Sequence, residues 1–588
     1  MESGPPPGRG SDPLHRRRGS TPNEERLRAL GRDVSGPGSP GSVPNEEGLR
    51  ALGARIDGHH RPARRHPRRR RRLVWTFGTL GTVVVVLVAA VAGYAWWLNH
   101  KIHRVAVGGL TGSVSRGVNA GTENILLVGS TSRCALKVQN PAYGLCSQGV
   151  TGVNSDVVMI LHLNSAKGTA SILSIPRDLF VPNARKEGAN KIDAALYEGP
   201  TQLVTAVEED FGIPIQHFVE LNFDTFANVV QALGGINMYF PEPVYDAYSG
   251  LDIQTTGCIH LTGYQALQVV RARHLQYKGP GVTTTNPRLW PQETQSDLAR
   301  IRRDHEFLRV LATTVAKEGL GNPLTDQRIV SSVVGQLTVD SGFSASHMVN
   351  LALTFHGINA NTAPQFTLPV AVSSSLHYYY KGYDYGNIAF PVQPQDAQVV
   401  DQFLGLGPDG DTMNGGTLPS PGKVTVSVYN GTGVYDQATT TGNALQALGF
   451  HIGTLGDTPP AAAQSETRVY YASRTPAAEA AAQLVQHSMS GAVVMAYNPS
   501  MVPSGSQVAV VTGTSFSVNP PAPATPLATP TTAKGAKGAK GSAKTQPAPT
   551  TTTPTTAPNA TFSAPSQAVE NLQPWDPRSC GPHGTPGP

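Results

Sequence analysis

The clearest apolar pattern in the chain lies between residues 154 and 178. Two β-branched apolar runs, Val157–Leu163 and Thr169–Ile175, are separated by a short polar stretch. This pattern predicts two antiparallel core strands joined by a tight loop. Asp156 precedes the first run, and Arg177 and Asp178 follow the second, so these charges should meet at one end of a sheet. They fit either a structural salt bridge or a site that holds a metal ion and a phosphate.

A longer apolar stretch has a different meaning. Residues 73–98 are uncharged and mostly apolar, and five arginines precede them at 68–72. At about 1.5 Å per residue, this stretch is long enough to cross a hydrocarbon core of about 30 Å. The arginines predict a single-pass protein of the cell membrane with a cytoplasmic N-terminus and extracytoplasmic main domains. A cleavable signal peptide is the alternative, which the 72-residue leader disfavours.

Residues 1–72 are rich in Arg, Pro, Gly and Ser, a composition typical of a disordered tail. They hold 17 Lys and Arg against 8 Asp and Glu, so the basic character of the chain belongs to this segment. The motif PNEExLRALG occurs twice, starting at Pro22 and Pro44. Each copy predicts a short helix that binds a cytoplasmic partner, and a duplication without function is the alternative.

The remaining chain divides by composition into four parts. Strand and helix patterns alternate over 110–370, which favours an α/β (α+β) sandwich with a central mixed sheet flanked by helices. Residues 371–422 are predicted as a linker, 423–516 as a second, smaller α/β domain, and the Pro/Thr/Ala-rich 517–588 as a disordered tail. The turn at 430–433 lacks the Gly-Lys-Ser/Thr ending of a phosphate loop, so a plain strand-to-helix turn is the better interpretation.

Four cysteines lie in the predicted extracytoplasmic region, where disulfides form. Cys134 and Cys146 bracket a polar loop and are predicted to be bridged. Cys258 is predicted to be a buried thiol, and Cys580 has no evident partner. The sequence has neither CxxC pairs nor Cys/His clusters, so a zinc site is not expected.

Charged residues recur at the predicted strand ends and loops of the 110–370 region. Any one of them is ordinarily a surface charge, but together they suggest an anion site. Arginine suits such a site because its guanidinium donates paired hydrogen bonds to phosphate oxygens. The residues are Arg133, Asp156, Arg177, Asp178, Lys191, Arg271, Arg273, Arg300 and Arg303.

Ordered motifs over residues 110–320 resemble those of the LytR–CpsA–Psr family. They are NILLVGSTSR, NSDVVMILHLN, SIPRDLFV, KIDAALYEG, GIPIQHFVELNFDTF, ALGGINMYF, LTGYQALQVVRARH and DLARIRRDHEFL. Residues 424–511 resemble the C-terminal domain often appended to these proteins. The resemblance implies a phosphotransferase that moves a glycopolymer from a polyprenyl pyrophosphate carrier onto peptidoglycan, with a divalent metal, usually Mg²⁺. The implied partners are that carrier, peptidoglycan and the membrane, and no nucleic acid is expected.

The resemblance also implies residue roles. Arg177, Arg271, Arg273 and Arg300 would bind the pyrophosphate, with Arg133, Lys191 and Arg303 as helpers. Asp156 would bind the metal, and Asp178 would position neighbouring groups or act as the base. The catalytic set is therefore Asp156, Arg177 and Asp178. Apolar helices, including residues 226–233, would wall a tunnel for the lipid.

Three positions depart from the family pattern. The family usually has Asp at Thr131, Arg at Asn154 and Gln at Asp304. Thr131 removes a metal carboxylate, for which a hydroxyl is a poor replacement. These departures keep open a non-catalytic protein that binds the carrier lipid or the wall polymer. A transcription regulator is the third hypothesis, but no helix-turn-helix pattern supports it.

Overall fold

The computed structural model describes Trp96 and residues 99–521 and 571–587. Within these ranges it leaves out 113–120, 132–133, 135–144, 150, 295, 319–336, 356–357, 359–361, 374, 409 and 459–463. The predicted N-terminal tail and, apart from Trp96, the predicted membrane segment lie outside the described residues. Among the helices that are described, none combines the length and apolar character needed to cross a membrane.

Among the described residues, the larger part of the fold contains eighteen strands and six helices. The strands are β1 (His103–Val105), β2 (Thr122–Ser130), β3 (Ser155–Asn164), β4 (Thr169–Ile175), β5 (Phe180–Arg185), β6 (Gly188–Lys191), β7 (His217–Leu221), β8 (Ile236–Phe240), β9 (Val244–Asp246), β10 (Leu251–Ile253), β11 (Gly257–Leu261), β12 (Gln276–Tyr277), β13 (Thr338–Asp340), β14 (Gln365–Thr367), β15 (Val370–Val372), β16 (Tyr379–Tyr380), β17 (Tyr383–Asp384) and β18 (Ala389–Pro391). The helices are α1 (Pro200–Phe211), α2 (Phe223–Ala232), α3 (Gly263–Arg271), α4 (Ser296–Glu318), α5 (Ala345–Phe355) and α6 (Gln395–Leu404).

A seven-stranded mixed sheet forms the centre, with the spatial order β1-β13-β7-β2-β3-β4-β14. Strands β2, β3 and β4 pair antiparallel, whereas β7 and β14 join them in parallel. Side chains alternate between the two faces of a strand, and both sets of positions in the central strands are mostly apolar. Each face of this sheet is therefore apolar. One face packs with α1 and α6, and the other packs with α5. The predicted central mixed sheet flanked by helices is therefore present.

The predicted linker 371–422 is wrong, because part of it belongs to the main core. Helix α6 carries Val400, Phe403 and Leu404 into the same apolar cluster as the central sheet. Ser171 of β4 also donates a hydrogen bond from Oγ to the Phe403 carbonyl at 2.9 Å. The apolar spacing in residues 395–404 is that of an amphipathic helix, which the linker interpretation overlooked.

A second α/β unit follows, as predicted. It consists of β19 (Thr425–Asn430), α7 (Gln437–Ala447), β20 (His451–Asp457), β21 (Thr467–Tyr471), α8 (Pro476–His487), β22 (Met489–Gly491), β23 (Val493–Tyr497), β24 (Val508–Thr512) and β25 (Phe516–Val518). Its main sheet has the order β20-β19-β24-β21-β23. In the turn after β19, the Asn430 Oδ1 accepts the backbone N–H groups of Thr432 and Gly433. Those donors are already satisfied within the chain, which fits a plain strand-to-helix turn.

The end of the predicted disordered tail is ordered, which corrects that prediction for residues 571–587. A short strand, β26 (Arg578–Ser579), pairs with β8. Cys580 forms a disulfide with Cys258, so Cys258 is not the predicted buried thiol. These cysteines are 322 positions apart, and the sequence gave no signal for their pairing. The predicted Cys134–Cys146 disulfide is present.

Two buried arginines hold this C-terminal segment against α4. Asp576 Oδ2 accepts a hydrogen bond from Arg302 Nε at 2.6 Å, and Asp576 Oδ1 lies 3.4 Å from Arg303 Nη1. Glu293 pairs with both arginines from the other side. Trp575 stacks on Tyr277 with ring centroids 4.1 Å apart. We call Glu293, Arg302, Arg303 and Asp576 the tail clasp.

Candidate active site

Antiparallel pairing of β3 and β4 brings the start of one strand beside the end of the other. Arg177, two residues after β4, donates a hydrogen bond from Nη1 to Asp156 Oδ1 near the start of β3. Asp178 lies on the other side of the same guanidinium, with 3.6 Å between Arg177 Nε and Asp178 Oδ2. The structure therefore brings together the three residues predicted to meet at this end of the sheet.

Ion pairs extend this contact into a network, here called the Arg–Asp network. Asp297, in the first turn of α4, lies 3.7 Å from Arg177 Nε, 3.3 Å from Arg273 Nε and 3.0 Å from Arg300 Nη2. Arg300 also donates from Nη2 to the Asp156 carbonyl at 2.5 Å. Basic and acidic side chains are equal in number. The members are Asp156, Arg177, Asp178, Lys191, Arg273, Asp297, Arg300 and Asp304.

The cations set the charge states of two network carboxylates. Burial acts to raise the pKa of Asp156, but Arg177, Arg300 and Arg273 outweigh it, so this pKa lies below its usual value. Burial also acts to raise the pKa of Asp178, but the charges of Arg177 and Lys191 outweigh burial, so this pKa is lowered as well. Lys191 Nζ donates to Asp178 Oδ1 at 2.8 Å. Asp178 is therefore a stable anion that positions its cations, and it is a weak proton acceptor.

Two other carboxyl groups behave in the opposite way. Burial raises the pKa of Asp193 to about 6, although Arg177 acts against this shift. Burial raises the pKa of Asp304 to about 7, with Arg300 and Arg303 opposing it. Asp193 follows Lys191 by two residues, in the short 3-10 helix Ile192–Glu198. A carboxyl group with a pKa near neutral is suited to accept a proton during a reaction.

Asp193 and Asp297 are members of the candidate site that the sequence prediction missed. Asp193 lies inside the quoted KIDAALYEG motif, but no sequence signal distinguishes a buried carboxyl from a surface one. Asp297 precedes Arg300 by three residues, which places both on one face of a helix. That spacing is the signal that would have found Asp297.

Arg303 lies outside the Arg–Asp network, which corrects its predicted role as a pyrophosphate helper. Its side chain is 1% exposed and is held by Glu293, Asp576 and the Ala272 carbonyl. Arg303 therefore belongs to the tail clasp. Arg133, the other predicted helper besides Lys191, lies outside the described residues.

Arg271 lies two residues before Arg273 of the Arg–Asp network and contacts an aromatic ring. Its guanidinium lies 4.5 Å from the centroid of the Phe223 ring, where α2 begins. Phe223 and Leu267 are buried with Phe226 and Val270 packed against them, so α2 and α3 form one apolar contact. Residues 226–232 of the predicted lipid-lining range 226–233 lie on this same α2. The arrangement suits a ligand with a phosphate head and an apolar chain.

Two of the departures from the family pattern contact each other. Thr131 Oγ1 lies 3.2 Å from the Asn154 carbonyl and accepts the Asn154 N–H at 3.0 Å. The Thr131 N–H also donates to the Asn154 carbonyl at 2.9 Å. A neutral hydrogen-bonded pair thus joins the end of β2 to the residue before β3. Neither member of this pair carries a charge.

Comparison with known proteins identifies two matching family models. The LytR_cpsA_psr family model matches residues 100–390. The model described as LytR cell envelope-related transcriptional attenuator matches residues 423–516. The two matches correspond to the larger fold around the Arg–Asp network and to the second α/β unit.

Individual relatives match part of the chain. It is 34% identical over 296 residues to the probable cell wall biosynthesis protein LcpB of Corynebacterium glutamicum, covering 50% of this chain and 63% of that protein. It is 31% identical over 138 residues to the polyisoprenyl-teichoic acid–peptidoglycan teichoic acid transferase TagU of Bacillus anthracis, covering 23% of this chain and 44% of TagU. The match thus spans less than two thirds of either relative. Among solved structures, a LytR-Csp2A-Psr enzyme from Actinomyces oris is 22% identical with a TM-score of 0.39, over 52% of this chain and 97% of that one.

Proposed function

Since this chain belongs to the LytR–CpsA–Psr family and carries a C-terminal LytR domain, we propose that it is a glycopolymer–peptidoglycan phosphotransferase. The substrate would be a glycopolymer on a polyprenyl pyrophosphate carrier, and the acceptor would be peptidoglycan. The observation that carries this proposal is the Arg–Asp network around Arg177. Arg271, two residues before network member Arg273, contacts the Phe223 ring at the start of α2. One end of the site suits phosphates and the other suits a lipid chain.

The reaction is a displacement at phosphorus. A peptidoglycan hydroxyl forms a new P–O bond to the phosphorus that carries the glycopolymer, and the P–O bond to the polyprenyl phosphate breaks. The polyprenyl phosphate leaves with the electron pair of that bond. Arg177, Arg273 and Arg300 would stabilise the charge that develops on the phosphate oxygens, because fixed guanidinium groups need no reorganisation during the step.

Asp193 is our candidate for the group that accepts the proton of the attacking hydroxyl. Transfer should rise as pH increases through about 6, because Asp193 must lose its proton before it can accept one. An Asp193→Asn variant should be at least about tenfold slower and should lack this rise, since general-base catalysis contributes about 10²–10⁴-fold. Initial rates of transfer from pH 5 to 8 measure both effects. An Asp193→Asn variant with the same rise near pH 6 would assign the proton acceptor elsewhere.

The proposed metal is Mg²⁺, and the residues present fit it. Asp156 is the predicted ligand, and Asp297 offers a second carboxyl group that, like Asp156, lies within 4 Å of Arg177 and Arg300. Both buried Asp297 oxygens lack a hydrogen bond of ordinary geometry from the described part of the chain. Asp304 lies deeper, and its pKa of about 7 leaves it less suited to a hard cation. Asp297 would thus supply a second metal-binding carboxylate in place of the Asp expected at position 131, where this chain has Thr131. When bound, Mg²⁺ would neutralise charge on the phosphate oxygens.

The carboxylates proposed to bind Mg²⁺ are also those that hold the arginines. Loss of either ligand should therefore weaken the effect of magnesium on carrier binding. For Asp156→Asn and Asp297→Asn, we expect at least about a tenfold rise in the Mg²⁺ concentration that gives half-maximal carrier binding. Binding of a polyprenyl pyrophosphate lipid to the full-length protein, titrated with Mg²⁺, measures this. Asp304→Asn is the matched control, and an equal shift in all three variants would contradict the assignment.

We also propose that the protein is anchored in the cell membrane by residues 73–98, with its domains outside the cytoplasm. Strand β1 supports this placement of the site. Its first residue, His103, pairs with Thr338, which pairs with Glu220 near the end of β7. This is the end of the sheet where Asp156 and Arg177 lie. The chain therefore enters the domain at the end that would meet a lipid-linked substrate.

A further inference from the structure

A second group of metal-binding side chains lies at the opposite end of the central sheet. Glu123 is near the start of β2, His217 begins β7, and His347 is in the first turn of α5. Their ligand atoms all lie within 4.8 Å of one another. Seven residues separate Glu123 from Ser130 along β2, which corresponds to about 23 Å. We propose that these three residues form a binding site for one transition-metal ion of the Zn²⁺ class.

The donor types fit such an ion. Two imidazole nitrogens and one carboxylate are a frequent set of protein ligands for zinc, with a fourth position left to water. Magnesium and calcium prefer sites made only of oxygen. The site is therefore distinct in chemistry, as well as in place, from the site that we propose for Mg²⁺.

The distances between the donors are close to those that a metal requires. His347 Nε2 lies 2.8 Å from Glu123 Oε2, and His217 Nε2 lies 4.0 Å from the same oxygen. Ligands on one tetrahedral zinc ion at about 2.0–2.2 Å are about 3.3 Å apart. Shifts of about 0.5–0.7 Å would close the site, which side-chain rotations of His347 and Glu123 can supply.

A carboxylate that contacts Nδ1 fixes the orientation of the His217 ring. Its Nδ1 lies 3.1 Å from Asp340 Oδ2, which also accepts the Phe218 N–H at 3.1 Å. The other Asp340 oxygen accepts the Gly342 N–H at 2.8 Å. An imidazole that donates from Nδ1 to a carboxylate presents its Nε2 lone pair on the other side. That lone pair faces Glu123 Oε2, so two electron-pair donors face each other across a gap that a cation would bridge. A carboxylate behind a ligating histidine is the usual arrangement around bound zinc.

Packing against Phe343 holds the His217 ring in place. The His217 ring stacks on Phe343 with centroids 4.1 Å apart and an interplanar angle of 15°. Phe343 is itself buried with Val219, Val339 and Leu351. A bound ion would join β2, β7 and α5. The three ligands are 94 and 130 residues apart in the sequence, so the spacing rule that led us to expect no zinc site could not detect this one.

The test is a Zn²⁺ titration of the full-length protein. It should be purified without a histidine tag and stripped with a chelator, and the titration followed by calorimetry. Wild-type protein should bind one more high-affinity equivalent than His347→Ala. Both proteins keep the other histidines, such as the pair at 59–60, so zinc binding by those residues cancels in the comparison. Asp340→Asn should weaken this equivalent by about 10–100-fold. The control is His377→Ala, which removes an exposed histidine that is also paired with a carboxylate, Asp384.

A second readout covers the case in which a variant folds poorly. Zn²⁺ should raise the unfolding temperature of the wild type and of His377→Ala, but not that of His347→Ala. Co²⁺ in place of Zn²⁺ should give the intense visible absorption of a tetrahedral site with nitrogen ligands. Metal-free wild type and His347→Ala should unfold at similar temperatures, since His347 is about one-third exposed. Equal zinc binding by these two proteins, or none by either, would overturn the proposal.

Discussion

Replacing Arg177 by alanine should reduce glycopolymer transfer by about 10²–10³-fold, the usual loss when one fixed donor to a developing anion is removed. Arg177 contacts Asp156 directly and lies within 4 Å of Asp178 and Asp297, so it links the proposed metal side of the site to the phosphate side. Burial acts to lower its pKa, but these carboxylates outweigh burial and raise it, so the guanidinium stays charged. The rate of saccharide attachment to peptidoglycan measures the effect.

Two variants make this test specific. Arg177→Lys keeps the charge but loses the paired donors, so we expect activity between those of the wild type and Arg177→Ala. Arg288→Ala removes an exposed arginine whose Nε lies 3.4 Å from the Tyr245 hydroxyl, and it should transfer at the wild-type rate. Urea unfolding of each variant checks that the fold is retained. An Arg177→Ala protein with full activity would refute the site assignment.

Replacing Asp576 by alanine should lower the free energy of unfolding by about 3–5 kcal/mol, the usual cost of removing one partner from a buried ion pair. Asp576 is fully buried, and Arg302 and Arg303 are each at most 2% exposed. Without Asp576, Glu293 would be the one carboxylate left in the tail clasp to pair with two buried guanidinium groups. The midpoint of urea unfolding, followed by tryptophan fluorescence, measures the loss. Trp575 and Trp290 report on this region, since Trp575 stacks on Tyr277 and Trp290 is buried.

The matched control is Asp252→Ala. Asp252 is an exposed aspartate whose carboxylate accepts a hydrogen bond from the Gln254 side chain. Surface changes of this kind usually alter stability by less than about 0.5 kcal/mol. Both proteins should be compared with their disulfides intact, because Cys258–Cys580 holds the same segment. If Asp576→Ala unfolds at the same urea concentration as Asp252→Ala, the tail clasp does not form in solution.

The sequence predicted those parts of the site that depend on local pattern. Apolar alternation located β3 and β4, and antiparallel pairing then required Asp156 to meet Arg177. The sequence also grouped Arg300 and Arg303 in one candidate anion site. It did not predict which arginines of α4 face the site, because Arg300 and Arg303 differ only by a small rotation about the helix axis. Glu293 and Asp576 contact Arg303 in the folded protein, and these contacts place Arg303 in the tail clasp.

The sequence could not indicate the contacts between distant segments. The tail clasp joins residues more than 270 positions apart, and the Cys258–Cys580 bridge spans 322. The composition of 517–588 is typical of disorder, yet residues 571–587 contact the main fold through Trp575, Asp576 and Cys580. Burial also sets the high pKa of Asp193, and no sequence pattern reports it.

The proposed activity is tested most directly by reconstitution of the full-length protein in liposomes. The reaction would contain a polyprenyl-pyrophosphate-linked saccharide, peptidoglycan and Mg²⁺. We predict that peptidoglycan gains the saccharide through a phosphodiester while polyprenyl monophosphate appears in equal amount, and that Arg177→Ala gives about 10²–10³-fold less of both products. Carrier lipid that binds to the wild-type protein but gives no peptidoglycan-linked saccharide would contradict the proposed transfer. That result would instead favour a protein that only binds the lipid.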